Sequence, residues 1–140
     1  MKNLIKSKKE YLELKPVVTK LVDQFADYSE EEYFKELVEK ESIYLNSNNI
    51  SKVEELLEEL ETFKYQMHWK EPNFIKSMFS YIVEKEENFN DISRAKILIS
   101  KGAKVLAQDN MENLADITKE LFSLLSRDDK EKVTNTIGFY

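Results

Sequence analysis

The sequence predicts an all-α fold, an antiparallel bundle of six to eight helices, with two stacked helical units as one possible arrangement. Glycine and proline together number four among 140 residues, whereas turn-rich sandwiches and barrels need many of both. Charged residues make up 34% and hydrophobic residues 41% of the chain, a balance typical of helical proteins. Apolar residues also recur every three or four positions along most of the chain, which is the period of an amphipathic helix.

Two helices are expected at the N-terminus, over 3–14 and 16–27. Pro16 separates them, because proline lacks the N–H that a helix interior needs. Proline suits a first helical turn, where the missing N–H would have no helical partner in any case. We therefore expect one helix to end before Pro16 and the next to begin with it.

The next two helices are predicted from capping signals. Ser29 with Glu32 and Ser51 with Glu54 have the spacing of a capping box, in which each side chain bonds the backbone of the other. Between the two helices, the polar run 46–49 favours a turn, since such side chains bond their own backbone.

The second half of the chain continues with amphipathic helices. Pro72 marks a break, because the residue before a proline avoids the helical region. Gly102 falls inside a helical pattern, where it costs about 1 kcal/mol against alanine, and we interpret it as a site of close helix packing. Together these signals predict helices over 3–14, 16–27, 30–45, 52–67, 73–85, 92–107, 111–125 and 128–137.

We expect residues 1–140 to form a single helical domain. An internal repeat within this domain is a further possibility. Segments 17–66 and 78–127 align at an offset of 61 residues. Identical residues then coincide at five or more positions, among them the pairs Leu37 with Leu98, Lys40 with Lys101, Leu45 with Leu106, Asn49 with Asn110, and Leu60 with Leu121. Any two helical hairpins share some of this pattern by periodicity alone, so a true repeat and a chance register both remain open.

The charge distribution argues against general nucleic-acid binding. The net charge is −6, whereas a basic face is the expected footprint of a nucleic-acid-binding protein. Residues 1–20 are an exception, because six lysines there face only Glu10 and Glu13. This basic segment is either a solvated helix face or a contact for an acidic partner.

Catalytic, metal and cofactor sites are not expected. The chain has no cysteine and one histidine, His68, which excludes zinc-ribbon, thiol and paired-histidine chemistry. With only Gly102 and Gly138 available, neither a phosphate loop nor a dinucleotide turn can be built. We also expect no membrane span and no secretory signal, since no apolar run is long enough for either, and we expect a cytoplasmic location.

Aromatic residues around the Pro72 break are the candidate protein-binding site. Tryptophan and tyrosine supply large contact areas at interaction hot spots, and the alternative is that these rings belong to the core. The residues that we single out for protein binding are Tyr65, Trp69, Phe74 and Phe79.

From about residue 63 onward, the chain carries a series of packing residues at characteristic positions, namely Tyr65-Gln66, Phe74, Phe79, Phe89-Asn90-Asp91, Ala95, Leu98-Ile99, Gly102, Asp109-Asn110, Leu114, Ile117 and the stretch 121–125. In these residues the chain resembles the helical C-terminal region of bacterial DnaK-like chaperones, the seventy-kilodalton heat-shock family. Ser126 departs from the pattern, because such segments often have a proline there. The Glu-Glu-Val-Asp tail of some eukaryotic members is also missing.

The resemblance implies a non-catalytic helical segment that contacts client or partner proteins. The ATPase of that family lies in a separate domain, and its nucleotide-binding residues have no counterpart here. A self-associating structural or assembly module, unrelated to chaperones, is the alternative function. Neither function requires a cofactor, and the oligomeric state stays open.

Overall fold

The chain folds into helices joined by short connections. A computed structural model describes residues 3–85 and 88–137, with side chains as far as residue 133. Within these residues there is no strand, apart from an isolated bridge between Phe89 and Leu125, and the all-α prediction is confirmed. The helices of this part of the chain are α1 (Leu4–Phe25), α2 (Tyr28–Glu39), α3 (Glu41–Leu45), α4 (Ile50–His68), α5 (Pro72–Val83), α6 (Ile92–Ala107), α7 (Met111–Leu124) and α8 (Arg127–Ile137).

The helices form two compact units, residues 1–68 and 69–140. The first unit contains α1 to α4, and the second contains α5 to α8. Each unit has its own cluster of buried apolar side chains. The single domain expected from the sequence stays a prediction.

In the first unit, α1 packs along α4, and the short α3 also contacts α4. The amphipathic pattern explains this arrangement, because each helix turns one apolar stripe toward the others. The most buried side chains of this core are Tyr11, Val18, Leu37, Leu56, Leu57, Leu60, Phe63 and Met67.

The expected break at Pro16 is wrong, because α1 runs without interruption through this residue. Proline removes the N–H that would bond the carbonyl of Leu12, and this change costs up to about 3 kcal/mol in a helix interior. Leu12 and Pro16 both lie on the exposed side of α1, so water can solvate that carbonyl and the helix continues. The apolar stripe on the opposite side holds both halves of α1 against α4.

Both predicted capping boxes are also displaced. The box of α2 is formed by Asp27 and Glu30, with two backbone-to-side-chain hydrogen bonds of 2.8 and 2.9 Å. Ser51 lies inside α4, and its N–H donates to the side chain of Asn49 at 3.0 Å. The expected helix over 30–45 is divided at Lys40 into α2 and α3.

In the second unit, α7 packs against both α5 and α6, and α8 contacts α5. Pro72 begins α5 as its first residue, as the break predicted, and α6 has the bounds expected from the sequence. The backbone N–H of Asn90 donates to the carbonyl of Leu124 at 2.9 Å beside the isolated bridge. The buried apolar side chains are Trp69, Ile75, Met78, Phe79, Ile82, Phe89, Ala95, Leu98, Leu114, Ala115, Leu121, Leu125 and Val133.

Gly102 confirms the prediction of close helix packing. A methyl group added at this position of α6 would overlap the ring of Phe79 on α5 and lie 3.4 Å from Cγ2 of Ile117 on α7. Glycine is therefore required by the approach of the Phe79 ring, and its low helix propensity is the cost of that contact.

The two units share a turn at the same position of the proposed repeat. Asn48 and Asp109, 61 residues apart, have positive φ angles of 55° and 58°, a conformation that Asn and Asp tolerate better than most residues. Asn49 and Asn110 follow them, and each side chain accepts a backbone N–H at the start of the next helix. Aligned residues buried in both units are Val18 and Phe79, Leu21 and Ile82, Leu37 and Leu98, Val53 and Leu114, Leu57 and Thr118, and Leu60 and Leu121.

Candidate protein-binding site

Trp69 opens the second unit and lies in the connection that precedes α5. The helix α4 ends at His68, and Glu71 is extended, with φ −90° and ψ 114°, because Pro72 follows it. The indole of Trp69 packs into the core of the second unit, with an exposed fraction of 6%.

A cleft of about 370 Å³ lies beside Trp69, between the start of α5 and one face of α7. Its lining residues are Trp69, Lys70, Ile75, Met111, Glu112, Ala115, Asp116 and Lys119. The residues from α7 follow a spacing of three or four, so they form one stripe along that helix. The apolar members of the set are deeply or partly buried, and the charged members of α7 are exposed.

Two of the contacts of the Trp69 indole involve Phe74 and Lys119. The ring of Phe74 packs edge-on against it, with centroids 5.3 Å apart and an interplanar angle of 90°. The ammonium of Lys119 lies 5.3 Å from the indole centroid, within reach of a cation–π interaction. Lys119 thus covers one face of the indole with a long, exposed side chain that is able to move aside.

The four predicted protein-binding residues have different surroundings. Trp69 lines the cleft, and Phe74 supports it from the side. Phe79 is 5% exposed and packs at Gly102, which favours the core alternative for this ring. Tyr65 lies on α4 in the first unit and is 37% exposed.

The cleft also contains residues that the sequence did not single out, above all Met111, Ala115 and Lys119 on α7. In the sequence, these residues have the same helical spacing as the core-facing residues of α7, so the spacing alone does not distinguish them. The signal that distinguishes them is the alternation of acidic and basic side chains beside Ala115, namely Glu112, Asp116 and Lys119.

A second, shallower groove of about 370 Å³ runs between α6 and α7. Lys101, Lys104, Val105 and Gln108 form its α6 side, and Asn113, Asp116 and Ile117 form its α7 side. Two lysines next to partly buried apolar side chains make this groove suitable for an acidic segment with an apolar side chain.

Among the titratable groups of the described residues, Tyr11 has the largest shift in pKa. Its ring is fully buried, and burial followed by the nearby carboxylate of Glu41 raises the pKa of its phenol well above the usual range. The hydroxyls of Tyr11 and of Ser7, one turn earlier, have no hydrogen-bond partner among the described residues. Glu41 itself pairs with Lys15 at 2.6 Å.

Each unit has an ion pair whose acidic partner lies at the same position of the proposed repeat, although the basic partners do not align. Lys40 lies 3.5 Å from Glu59, which raises the pKa of the lysine, and Arg94 lies 2.7 Å from Glu120. Glu59 and Glu120 are 61 residues apart, so the same position of the proposed repeat binds a cation of the preceding helices in both units.

The described residues include no group of three or more His, Cys, Asp or Glu side chains placed to hold a metal ion. In the same part of the chain, every helix is too short or too polar to cross a bilayer. His68 lines neither of the two clefts described above. The Trp69 cleft offers apolar contact, a cation–π contact and charged groups of both signs.

Comparisons with known protein families, with curated proteins and with solved structures gave no match to this chain.

Proposed function

We propose that the chain is a non-enzymatic protein-interaction domain of a DnaK-like molecular chaperone, which contacts client or partner proteins at the Trp69 cleft. The observation that carries the proposal is the composition of this cleft, in which an apolar floor of Trp69, Ile75 and Ala115 lies below a rim of both charges. Its association with DnaK-like chaperones rests on the packing residues from about position 63 onward.

The cleft suits a short apolar stretch of an unfolded protein. Its volume of about 370 Å³ is at the lower end of the roughly 300–1,000 Å³ of ligand pockets, which corresponds to one or two large side chains. Met111 adds a flexible, polarisable wall that adapts to different shapes. Charges of both signs at the rim favour tolerance of varied neighbouring residues over selection of one sequence.

The remaining parts of the proposal follow from composition. A net charge of −6 favours protein partners over nucleic acid, and no cofactor is needed for binding. We place the domain in the cytoplasm, away from membranes, because its chain has no cysteine and its helices are strongly charged.

The test replaces Met111, a partly buried residue of the cleft wall that packs at the edge of the second core, and circular dichroism checks that the variant keeps its helices. Met111→Glu places a charge in the cleft, and an acid at the first residue of α7 favours the helix dipole, so folding should be retained. The matched control is Ile92→Glu, at the first residue of α6 and 45% exposed. Trp69→Ala is unsuitable, because the indole is 6% exposed and its removal would disturb the fold.

The probe is reduced, carboxymethylated lactalbumin, which stays unfolded and carries a covalent fluorescein label, and the readout is the fluorescence anisotropy of that label. We expect Met111→Glu to weaken binding at least about tenfold, or 1.4 kcal/mol, and Ile92→Glu to leave the affinity unchanged. Absence of binding by the natural sequence, or equal weakening by both variants, would overturn the cleft as a client site.

The chaperone association has a separate test in the reading frame of the gene. An ATPase domain of the DnaK type encoded upstream in the same frame would support it, and a frame without such a domain would contradict it. If this test fails and the binding test succeeds, the chain is a protein-interaction domain that is unrelated to DnaK-like chaperones.

A further inference from the structure

The helix α6 is basic in a chain that is acidic overall. Its sixteen residues include Arg94, Lys96, Lys101 and Lys104 and no acidic residue, whereas the whole chain has a net charge of −6. Arg94 is occupied by its ion pair with Glu120 at 2.7 Å. The three lysines are exposed, so they give α6 an outward basic face.

An apolar side chain lies within this basic face. Ile97 is 50% exposed, and Lys101 and Lys104 follow it at spacings of four and seven, so the three share one side of the helix. The two lysines also border the groove between α6 and α7, whose interior contains Val105 and Ile117. The face therefore combines an apolar contact with cations beside a shallow groove.

The helices at the equivalent position of the first unit have the opposite charge. The stretch 28–45, which contains α2 and α3, has six acidic and two basic residues. On the outward side of α2, Glu32, Glu36 and Glu39 are exposed at spacings of four and seven. Tyr28, at the start of the same side, is 77% exposed.

We propose that the basic face of α6 binds the acidic face of α2 in a second copy of this chain. The two faces are complementary. Each has exposed charges of one sign at helical spacing, opposite in sign to those of the other face, and each has one exposed apolar side chain. Opposite charges steer such surfaces together, and apolar contact between Ile97 and Tyr28 of different copies removes both from water. Each copy carries both faces, so association of identical chains needs no other component.

The association is weak and depends on salt. Exposed ion pairs contribute about 0.2–1 kcal/mol each, and salt screens them over a Debye length that falls to about 3 Å at 1 M. We therefore expect sedimentation velocity of the full chain to show association that increases with protein concentration at low salt and is lost at high salt.

Charge reversal provides the decisive experiment. Lys96→Glu with Lys101→Glu and Lys104→Glu leaves α6 with three acidic residues and one basic residue. Glu32→Lys with Glu36→Lys and Glu39→Lys leaves α2 with four basic and two acidic residues. Each triple variant therefore brings faces of like charge together and should weaken association at least about tenfold. The chain with all six changes should associate as the natural sequence does. The two triple variants, each impaired alone, should associate when they are mixed.

Lys6→Glu with Lys20→Glu and Lys52→Glu is the control for the α6 variant, since all three lysines are exposed and the net charge changes by the same amount. Circular dichroism verifies that every variant keeps its helices. A natural sequence that stays monomeric at low salt, or a chain with all six changes that fails to associate, would overturn the proposal. If the natural sequence is monomeric and binds a DNA duplex that the α6 triple variant does not bind, the occupant of the basic face is nucleic acid and the proposal is wrong.

Discussion

Tyr11 shows how a single buried polar group limits the conditions under which the first unit is stable. Its ring is 0% exposed, and its hydroxyl has no hydrogen-bond partner among the described residues. The neutral phenol is tolerated in this position, but a phenolate would be buried near the carboxylate of Glu41. Ionisation of Tyr11 in the folded state is therefore unfavourable, because a buried phenolate loses its contact with water.

This environment predicts a loss of stability at alkaline pH. The folded state keeps the Tyr11 phenol protonated above its unfolded pKa of about 10, so unfolding releases a proton there. Stability is complete below pH 10 and falls as the pH rises further, by at most about 1.4 kcal/mol per pH unit for one group.

The measurement is urea unfolding, monitored by circular dichroism between pH 8 and about pH 11, which spans the ordinary tyrosine pKa. Tyr11→Phe should flatten the alkaline decline and leave neutral stability equal or slightly higher, because an unpaired buried hydroxyl is removed. Tyr28→Phe, at a site 77% exposed, is the matched control. If Tyr11→Phe shows the same decline in stability at alkaline pH as the natural sequence, the decline does not arise from Tyr11.

At the level of helices, sequence signals located the turns better than the caps. The polar run at 46–49 and the break at Pro72 were predicted correctly, because their causes act within a few residues. The break at Pro16 was predicted wrongly, because packing of α1 on α4 outweighed a local preference. Patterns within a few residues of the sequence carry no information about packing between distant helices.

Gly102 allows a prediction about helix packing in the second unit. Gly102→Ala gains about 1 kcal/mol in helix propensity, but overpacking of a filled core costs about 1–3 kcal/mol. The added methyl overlaps the ring of Phe79, which is buried and has little room to rotate. We therefore expect net destabilisation of about 1 kcal/mol.

Denaturant unfolding monitored by Trp69 fluorescence measures this change. In a Phe79→Leu background, the same substitution should be less destabilising or stabilising, because the smaller side chain leaves space for the methyl group. An increase in stability of Gly102→Ala in the natural background would show that the ring moves without cost.

At the level of the whole molecule, the sequence indicated the fold class but only part of the candidate site. Trp69 and Phe74 were singled out because they lie beside a proline break. Met111 and Ala115 were missed, since their proximity to Trp69 arises from packing of α5 on α7. Phe79 was selected by its neighbourhood in the sequence, although its ring belongs to the core.

The two separate cores predict that unfolding can be followed unit by unit. Leu60 and Leu121 are equivalent at the 61-residue offset, and both are fully buried. Replacement of either by alanine should cost about 2–5 kcal/mol in its own unit. Trp69 belongs to the core of the second unit, so its fluorescence reports on that unit.

We expect Leu121→Ala to lower the midpoint of the fluorescence transition in urea and Leu60→Ala to leave it in place. Circular dichroism, which detects helices of both units, should respond to both changes. Equal displacement of the fluorescence midpoint by the two substitutions would show that the chain unfolds as one cooperative body.

The left-handed turns at Asn48 and Asp109 also affect the denatured chain. Glycine would adopt these φ angles without strain, but in the unfolded chain a glycine samples far more backbone conformations. Residues with a Cβ sample fewer conformations, so the loss of backbone entropy is smaller when the helical hairpins form. With only two glycines in 140 residues, this chain loses less backbone entropy on folding than a glycine-rich chain of the same length.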